Sequence, residues 1–229
     1  MSTNNFAEAC ATYKLLKEKG YPEKATLKLV GDRHRLSRIQ RNCLFRGVIV
    51  QGAAAERREK IAAPEALAGK AIGVDWYNVL ITVESYLRGQ ILFVADDGMV
   101  RDASATHGSY RTGSLTERAI EEIVREIARL RPSRVDAYLD MPIAFSGRMA
   151  ENLRTRLAQL PCASEVTLVQ SADYPLKGYE GIVASSDSAV LDRCKLVLDL
   201  ARGVLARRFD FNPPAVHDLF PGSPESPRQ

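Results

Sequence analysis

Four aspartates each stand directly after a short, mostly apolar stretch of the chain. Asp75 follows "AIGV", Asp140 follows "RVDAYL", Asp173 follows "SEVTLVQSA" and Asp187 follows "GIVASS". An ionised carboxylate is costly to bury unless it is paired, hydrogen-bonded or bound to a metal. Since like charges raise one another's pKa, a cluster of carboxylates stays ionised only beside a cation. The pattern predicts a clustered acidic site, although each aspartate taken singly has an alternative role as a helix cap.

The chemistry of such a cluster follows from its oxygen ligands. Several carboxylates suit Mg²⁺ or Mn²⁺, which keep part of their water shell when they bind protein. These ions activate water and neutralise charge on a phosphoryl group. The residues therefore predict metal-assisted hydrolysis of a phosphodiester. A phosphatase or a nucleotide hydrolase would use the same acids, so the reaction class is better defined than the substrate.

The elements that must position these acids alternate between strands and helices from Lys70 onward. Strands are predicted at "KAIGVD", "RVDAYLDMP", "SEVTLVQSAD" and "GIVASSD", with helices between them. We expect a helix at "LTERAIEEIVREIARLRP", capped by Thr116, and one long helix over "SAVLDRCKLVLDLARGVLARR". Strand–helix alternation favours a mostly parallel sheet in an α/β domain. Since sites form outside the carboxyl ends of such strands, we expect the acids at one edge.

Three other polar positions have competing interpretations. Asn78 could bind the water shell of a metal or hold the turn that contains Asp75. Glu84 could support the site, but a solvated surface position is the favoured interpretation. Asp96 and Asp97 precede Gly98 in "QILFVADDGMVRD", a sequence that predicts a β-hairpin with ordinary turn residues.

Charge is distributed unevenly along the chain. Residues 1–69 contain 13 Lys and Arg against 7 Asp and Glu, whereas residues 70–229 contain 19 against 21. This asymmetry predicts a basic helical domain over 1–66 and an α/β domain over 70–210. A Pro-rich tail over 211–229 is expected to fray.

The basic segment "GDRHRLSRIQRN" is a candidate RNA-binding surface. Arg33, Arg35, Arg38 and Arg41, together with Arg46 shortly after the segment, carry guanidinium groups, which suit two-point contacts to phosphate. An alternative is that arginines of this region pair with acids of the α/β domain and lock the two parts together.

The loop "SATHGSYRTGS" precedes a predicted helix. Helix N-termini attract phosphate, and glycine allows the backbone to approach it closely. Ser109 and Arg111 are therefore candidate phosphate contacts, against the alternative of an ordinary loop.

Composition excludes several classes of protein. With 45% hydrophobic and 26% charged residues, the chain is typical of a globular protein rather than a disordered one. No apolar run approaches the roughly 20 residues that span a bilayer. The four cysteines are far apart in sequence, which favours reduced thiols and a cytoplasmic location. The chain has no GxSxG motif, which a serine hydrolase would need around its nucleophile. The sequence leaves open whether the protein forms a homo-oligomer.

Two of these stretches also carry a family resemblance. "VDWYNVL" resembles the first motif of the PIN-like superfamily, in particular its NYN branch, and "VASSDSAVLD" resembles a later motif. Together with "LDMPIAFSG" and "KLVGDRHRLSRIQRNCLFRG", nearly the whole chain resembles a prokaryotic family of unknown function whose paired domains are numbered 434 and 5616.

The PIN-like resemblance implies a Rossmann-like three-layer fold, a divalent metal held by acids, and cleavage of RNA. Under it, Asp75 matches the first acid, Asp140 a middle acid, Asp187 the late strand-end acid and Asp192 the acid that follows. Trp76 stands where the NYN motif has glycine.

Residues and resemblance together predict a Mg²⁺- or Mn²⁺-dependent ribonuclease with a basic helical N-terminal domain. Asp75, Asp140 and Asp187 are the expected metal ligands and catalytic acids, with Asp192 and Asp173 as additions. The alternative is a catalytically inactive PIN-like module that binds RNA or a protein. The missing second acid, such as a glutamate at a middle position, favours that alternative.

Overall fold

The computed structural model describes residues 6–104 and 112–221. Its helices are α1 (Phe6–Glu18), α2 (Glu23–Arg33), α3 (Arg38–Gly47), α4 (Gln51–Glu59), α5 (Trp76–Leu87), α6 (Thr116–Leu130), α7 (Ser146–Leu157), α8 (Asp173–Lys177), α9 (Ser188–Leu191) and α10 (Leu200–Phe209). Its strands are β1 (Ala71–Asp75), β2 (Leu92–Val94), β3 (Val100–Asp102), β4 (Arg134–Asp140), β5 (Ala163–Val169), β6 (Ile182–Ala184) and β7 (Leu196–Val197). None of the helices in these two ranges is both long and apolar enough to cross a membrane.

The four N-terminal helices form the predicted helical region. Ser37 begins α3 with a capping box: its hydroxyl accepts from the Gln40 N–H, and the Gln40 side chain accepts from the Ser37 N–H. The core of this region includes Tyr13 and Leu44, and it also takes in Phe93 from the β2–β3 hairpin. The helical region is therefore packed onto the hairpin.

The main sheet has the order β5-β4-β1-β6-β7, and its paired strands are all parallel. This confirms the predicted α/β class with a helical N-terminal region. The hairpin β2–β3 is a separate antiparallel pair, also as predicted. Strand β1 lies at the centre of the sheet, between β4 and β6.

Helices cover both faces of the sheet. Successive residues of a strand point to opposite faces, and β6 shows this directly: Ile182 and Ala184 join the core that contains helices α5, α6, α7 and α10, while Val183 joins a smaller core with α8 and α9. The result is a three-layer arrangement in which the central strand β1 is buried on both faces.

The predicted long helix over 188–208 is wrong. That segment is divided into α9, strand β7 and α10. Val197 pairs with Val183, and its N–H donates to the Lys60 carbonyl over 2.9 Å. Asp199 then caps α10 by accepting from the Arg202 N–H. Tertiary pairing therefore outweighs the helical pattern of the Leu- and Val-rich stretch.

Two further local predictions need correction. Thr116 is not a cap of α6 but its first helical residue. Its hydroxyl accepts from the Gly113 N–H and donates to Glu84. Glu84 is 1% exposed rather than solvated, and it also accepts from Arg88.

The chain from 211 to 221 is packed rather than frayed. The Pro214 carbonyl accepts from the Val94 N–H over 2.8 Å, and Val216 is fully buried in the N-terminal core. His217 Nε2 lies 2.7 Å from Asp96 Oδ1. This segment ties the hairpin to the N-terminal helices.

We expect Val216→Ala to lower the free energy of unfolding by about 2 kcal/mol, because it removes buried methyl groups and leaves a cavity. Urea unfolding followed by circular dichroism measures the change. Leu196→Ala is the control, since Leu196 is 44% exposed and its truncation should cost less than about 1 kcal/mol. Equal effects of the two variants would contradict the packed arrangement of this segment.

Candidate active site

The sheet brings three of the predicted acids to one edge. Asp75 is the last residue of β1, and Asp140 is the last residue of β4 on one side of it. On the other side, Asp187 follows Ser185 and Ser186 at the end of β6. Since parallel strands end at the same edge, three neighbouring strands each deliver one carboxylate there.

Asp75 is the most buried of these acids, at 5% exposure. Ser185 Oγ donates to its Oδ2 over 2.8 Å. Burial raises the pKa of Asp75 to about 7; the hydrogen bond from Ser185 opposes the shift, and the negative charges of Asp140 and Asp187 add to it. Asp140 and Asp187 are therefore close enough for their charges to act on Asp75.

Asp140 and Asp187 are each held by backbone N–H groups. Asp140 Oδ1 accepts from the Ala172 N–H over 2.8 Å. Asp187 Oδ1 accepts from the N–H groups of Ala189 and Val190 and caps α9. These bonds engage one carboxylate oxygen of each residue.

The donor set of this edge consists of carboxylate oxygens, which fits Mg²⁺ or Mn²⁺. Within residues 6–104 and 112–221, no group of three His, Cys, Asp or Glu side chains is already arranged to hold a metal ion. Ligation by Asp75, Asp140 and Asp187 together therefore requires these side chains to converge further.

Two residues shortly after Asp75, Trp76 and Asn78, help to hold the edge in place. Asn78 Oδ1 accepts from both the N–H and the hydroxyl of Ser186, over 2.9 and 3.0 Å. It thus fixes the segment that leads to Asp187. Trp76 is fully buried in the main core, so it does not occupy the edge; its Nε1 has no hydrogen-bond partner among the described residues.

The structure does not bring the other two predicted acids to Asp75. Asp173 begins α8, and its Oδ2 lies 3.4 Å from Lys177 Nζ. Asp192 ends α9 and forms a two-point ion pair with Arg57, over 2.7 and 3.0 Å. Neither is among the charges that shift the pKa of Asp75.

A buried ion-pair network connects the N-terminal helices to this edge. Arg101 donates to both oxygens of Asp97, over 2.7 Å each, and to the Ser186 carbonyl. Arg57 in α4 donates to Asp97 from the other side. Burial on its own raises the pKa of Asp97, but the hydrogen bonds and charge of Arg101 outweigh it and keep the pKa below its usual value. Asp97 is thus a structural link as well as a turn residue.

A cleft of about 410 Å³ lies where the N-terminal helices face the acidic edge. Its walls include four basic residues and two acids: Lys17, Arg46, Arg57, Arg101, Glu23 and Asp187. Phe45, Asn78 and Ser186 also line it. The sequence did not predict three of these residues as part of a site: Lys17, Arg57 and Arg101. They lie outside the basic segment, and the fold brings them to this cleft.

Four of the five arginines predicted to bind RNA are not part of this cleft. Arg33, Arg35 and Arg38 are exposed. Arg41 is partly buried and pairs with Asp32. None of the four is among the residues that line the cleft.

Arg46 supports the alternative role of the basic region. Its Nη1 donates to the Asp102 carboxylate and to the Asp102 carbonyl, over 2.8 Å each, and so joins α3 to β3. Ser109 and Arg111 lie outside the described residues.

The fold and site define an α/β protein with a parallel sheet, a carboxylate edge and a basic helical region beside it. Comparison with known sequences gives its family. The chain belongs to the family described as a domain of unknown function, DUF5616, which matches residues 64–203. Residues 5–60 match a second model, described as a protein of unknown function, DUF434.

A relative covers most of the chain. The uncharacterized protein MJ0935 of Methanocaldococcus jannaschii is 29% identical over 190 residues, which is 82% of this chain and 90% of that protein. No solved structure matches the chain.

The raised pKa of Asp75 has a consequence for stability. Its ordinary pKa of 3.8 becomes about 7 in the folded protein, so the folded state binds this proton more tightly than the unfolded state. The tighter binding of this proton adds to the free energy of unfolding below pH 4, and this stabilisation is lost as the pH rises from about 4 to about 7.

We therefore expect Asp75→Asn to raise the free energy of unfolding at pH 8 by about 2 kcal/mol in EDTA, and to have little effect at pH 4. Urea unfolding at both pH values measures this difference. Asp173→Asn is the control and should show no such pH-dependent gain. A destabilising Asp75→Asn at pH 8 would contradict the assigned environment of this carboxyl.

Proposed function

We propose that the protein is a PIN-like, Mg²⁺- or Mn²⁺-dependent ribonuclease that hydrolyses RNA phosphodiester bonds at its carboxylate edge. The observation that carries the proposal is the placement of Asp75, Asp140 and Asp187 after three neighbouring strands of one parallel sheet. Asp75 is buried, and burial together with the charges of Asp140 and Asp187 raises its pKa; a shift of this kind is a common feature of catalytic sites.

The three acids would hold the ion, with one oxygen each of Asp140 and Asp187 left outside their backbone hydrogen bonds. A bound ion would supply an activated water and neutralise phosphoryl charge. Asp75 is buried and supported by Ser185, so its carboxylate is already positioned and shielded from water. Its pKa is about 7 without an ion, and the positive charge of a bound ion would hold it in the ionised form that can ligate.

The basic side chains beside the edge favour an anionic polymer as substrate. Lys17 and Arg46 line the cleft that also contains Asp187. Arg33, Arg35 and Arg38 are exposed on the same helical region and would extend the attraction to the RNA backbone. Attraction of this kind predicts binding that weakens as salt concentration increases.

A second function is favoured by a specific observation. No three acidic, His or Cys side chains of the described ranges are already positioned around an ion. An RNA- or protein-binding module without catalysis would not need its acidic side chains to converge on an ion. The ion-paired Arg46 and Arg57 would then serve mainly to join the N-terminal helices to the α/β part of the chain.

The test is cleavage of labelled single-stranded and hairpin RNA with Mn²⁺, with Mg²⁺ and with EDTA. We expect cleavage with either ion, none in EDTA, and a loss of at least about 100-fold in rate for Asp75→Asn, because the variant lacks a carboxylate that would hold the ion beside the reacting phosphate. Asp173→Asn should keep the wild-type rate, since Asp173 lies apart from the edge.

Cleavage that survives both EDTA and Asp75→Asn would contradict the metal mechanism. RNA binding without cleavage in any of the ions would establish the binding module instead.

A further inference from the structure

We propose that the cleft beside the acidic edge accommodates one unpaired nucleotide of the RNA, with its base stacked on Phe45. This inference rests on the proposed function, since it assigns the nucleotide next to the cleaved bond. It makes the substrate a single-stranded segment rather than a duplex.

The cleft joins the two features that the proposal needs. Its lining includes Asn78, Ser186 and Asp187 from the edge, and Phe45 and Arg46 from α3. Its volume of about 410 Å³ lies within the roughly 300–1,000 Å³ of small-molecule sites. A nucleotide held there would place its phosphate close to Asp187, which lines the cleft.

Phe45 presents its aromatic ring at the surface of α3. The two residues before it, Cys43 and Leu44, are fully buried, whereas Phe45 is 47% exposed and lines the cleft. An aromatic ring on the wall of a polar cleft offers a face for a base of any identity, since each base has a π-face. Stacking on Phe45 would therefore be tolerant of sequence.

Charge on the same wall suits the phosphate. Arg46 uses Nη1 as the donor in both of its described hydrogen bonds. Its Nε and Nη2 have no acceptor among the described residues, so they are available to donate to a phosphate oxygen. Lys17, which also lines the cleft, is held by Glu23 and by the Val48 carbonyl. Arg101 also lines the cleft, but its charge is balanced by the buried Asp97.

Base pairing is incompatible with this arrangement. A base can enter a cleft of this size only if it leaves its stack, which costs a few kcal/mol in a duplex and little in a single strand. The cleft should therefore select unpaired RNA before any chemistry occurs.

The experiment measures binding in EDTA, so that cleavage plays no part. Fluorescence anisotropy is recorded for a labelled single-stranded RNA and for the same sequence in a perfect duplex. A second probe, a single-stranded RNA with 2-aminopurine, reports stacking through quenching of its fluorescence. The proteins are wild type, Phe45→Ala, Phe45→Tyr and Leu196→Ala, which is similarly exposed but lies at the start of β7, away from the cleft.

We expect wild type to bind the single strand at least about 10-fold more tightly than the duplex. Phe45→Ala should weaken single-strand binding by about 5-fold to 100-fold and remove the quenching, as expected for the loss of one stacked base. Phe45→Tyr and Leu196→Ala should bind like wild type. Thermal unfolding by circular dichroism establishes that each variant is folded.

Unchanged binding by Phe45→Ala, or equal affinity for single strand and duplex, would overturn the inference. The two proposals fail separately. Phe45-dependent binding without cleavage in any metal would contradict the hydrolysis but not the nucleotide site. Asp75-dependent cleavage with unchanged binding by Phe45→Ala would contradict the nucleotide site alone.

Discussion

The buried contact between Arg101 and Asp97 is the interaction on which the arrangement of the site depends. Through it, the hairpin is joined to Arg57 of α4 on one side and to the Ser186 carbonyl after β6 on the other. A buried ion pair adds little net stability, but loss of one partner leaves an uncompensated charge at a cost of about 3–5 kcal/mol. The network therefore acts mainly by specifying one geometry, in which the N-terminal helices face the acidic edge and enclose the cleft.

The acidic edge has the opposite energetic character. Asp75 has a neutral partner in Ser185 and two negative neighbours, so burial leaves its ionised form destabilised at neutral pH. Stability alone would favour a neutral side chain there, which is consistent with the role that we propose for Asp75. The contrast between a fully paired Asp97 and an unpaired Asp75 charge separates the acid that supports the fold from the acid to which we assign the chemistry.

Sequence reasoning reached the parallel sheet and the edge that carries Asp75, Asp140 and Asp187, because strand–helix alternation constrains which strand ends meet. It failed where distant parts of the chain decide the outcome. Strand β7 exists because Leu196 and Val197 pair with β6. Asp192 pairs with Arg57, which lies 135 residues away in the sequence. The sequence around Asp97 is typical of a hairpin turn. That local pattern does not predict the ion pairs of Asp97 with Arg57 and Arg101.

The most direct test of a metal-dependent site is a crystal structure of the protein soaked with Mn²⁺, with the ion located by its anomalous scattering. We expect one strong peak at the carboxyl edge of the sheet, with oxygens of Asp75, Asp140 and Asp187 at about 2.1 Å from it. A peak bound by other residues, or three side chains that remain apart at saturating Mn²⁺, would contradict the assignment of this edge as a metal-dependent active site.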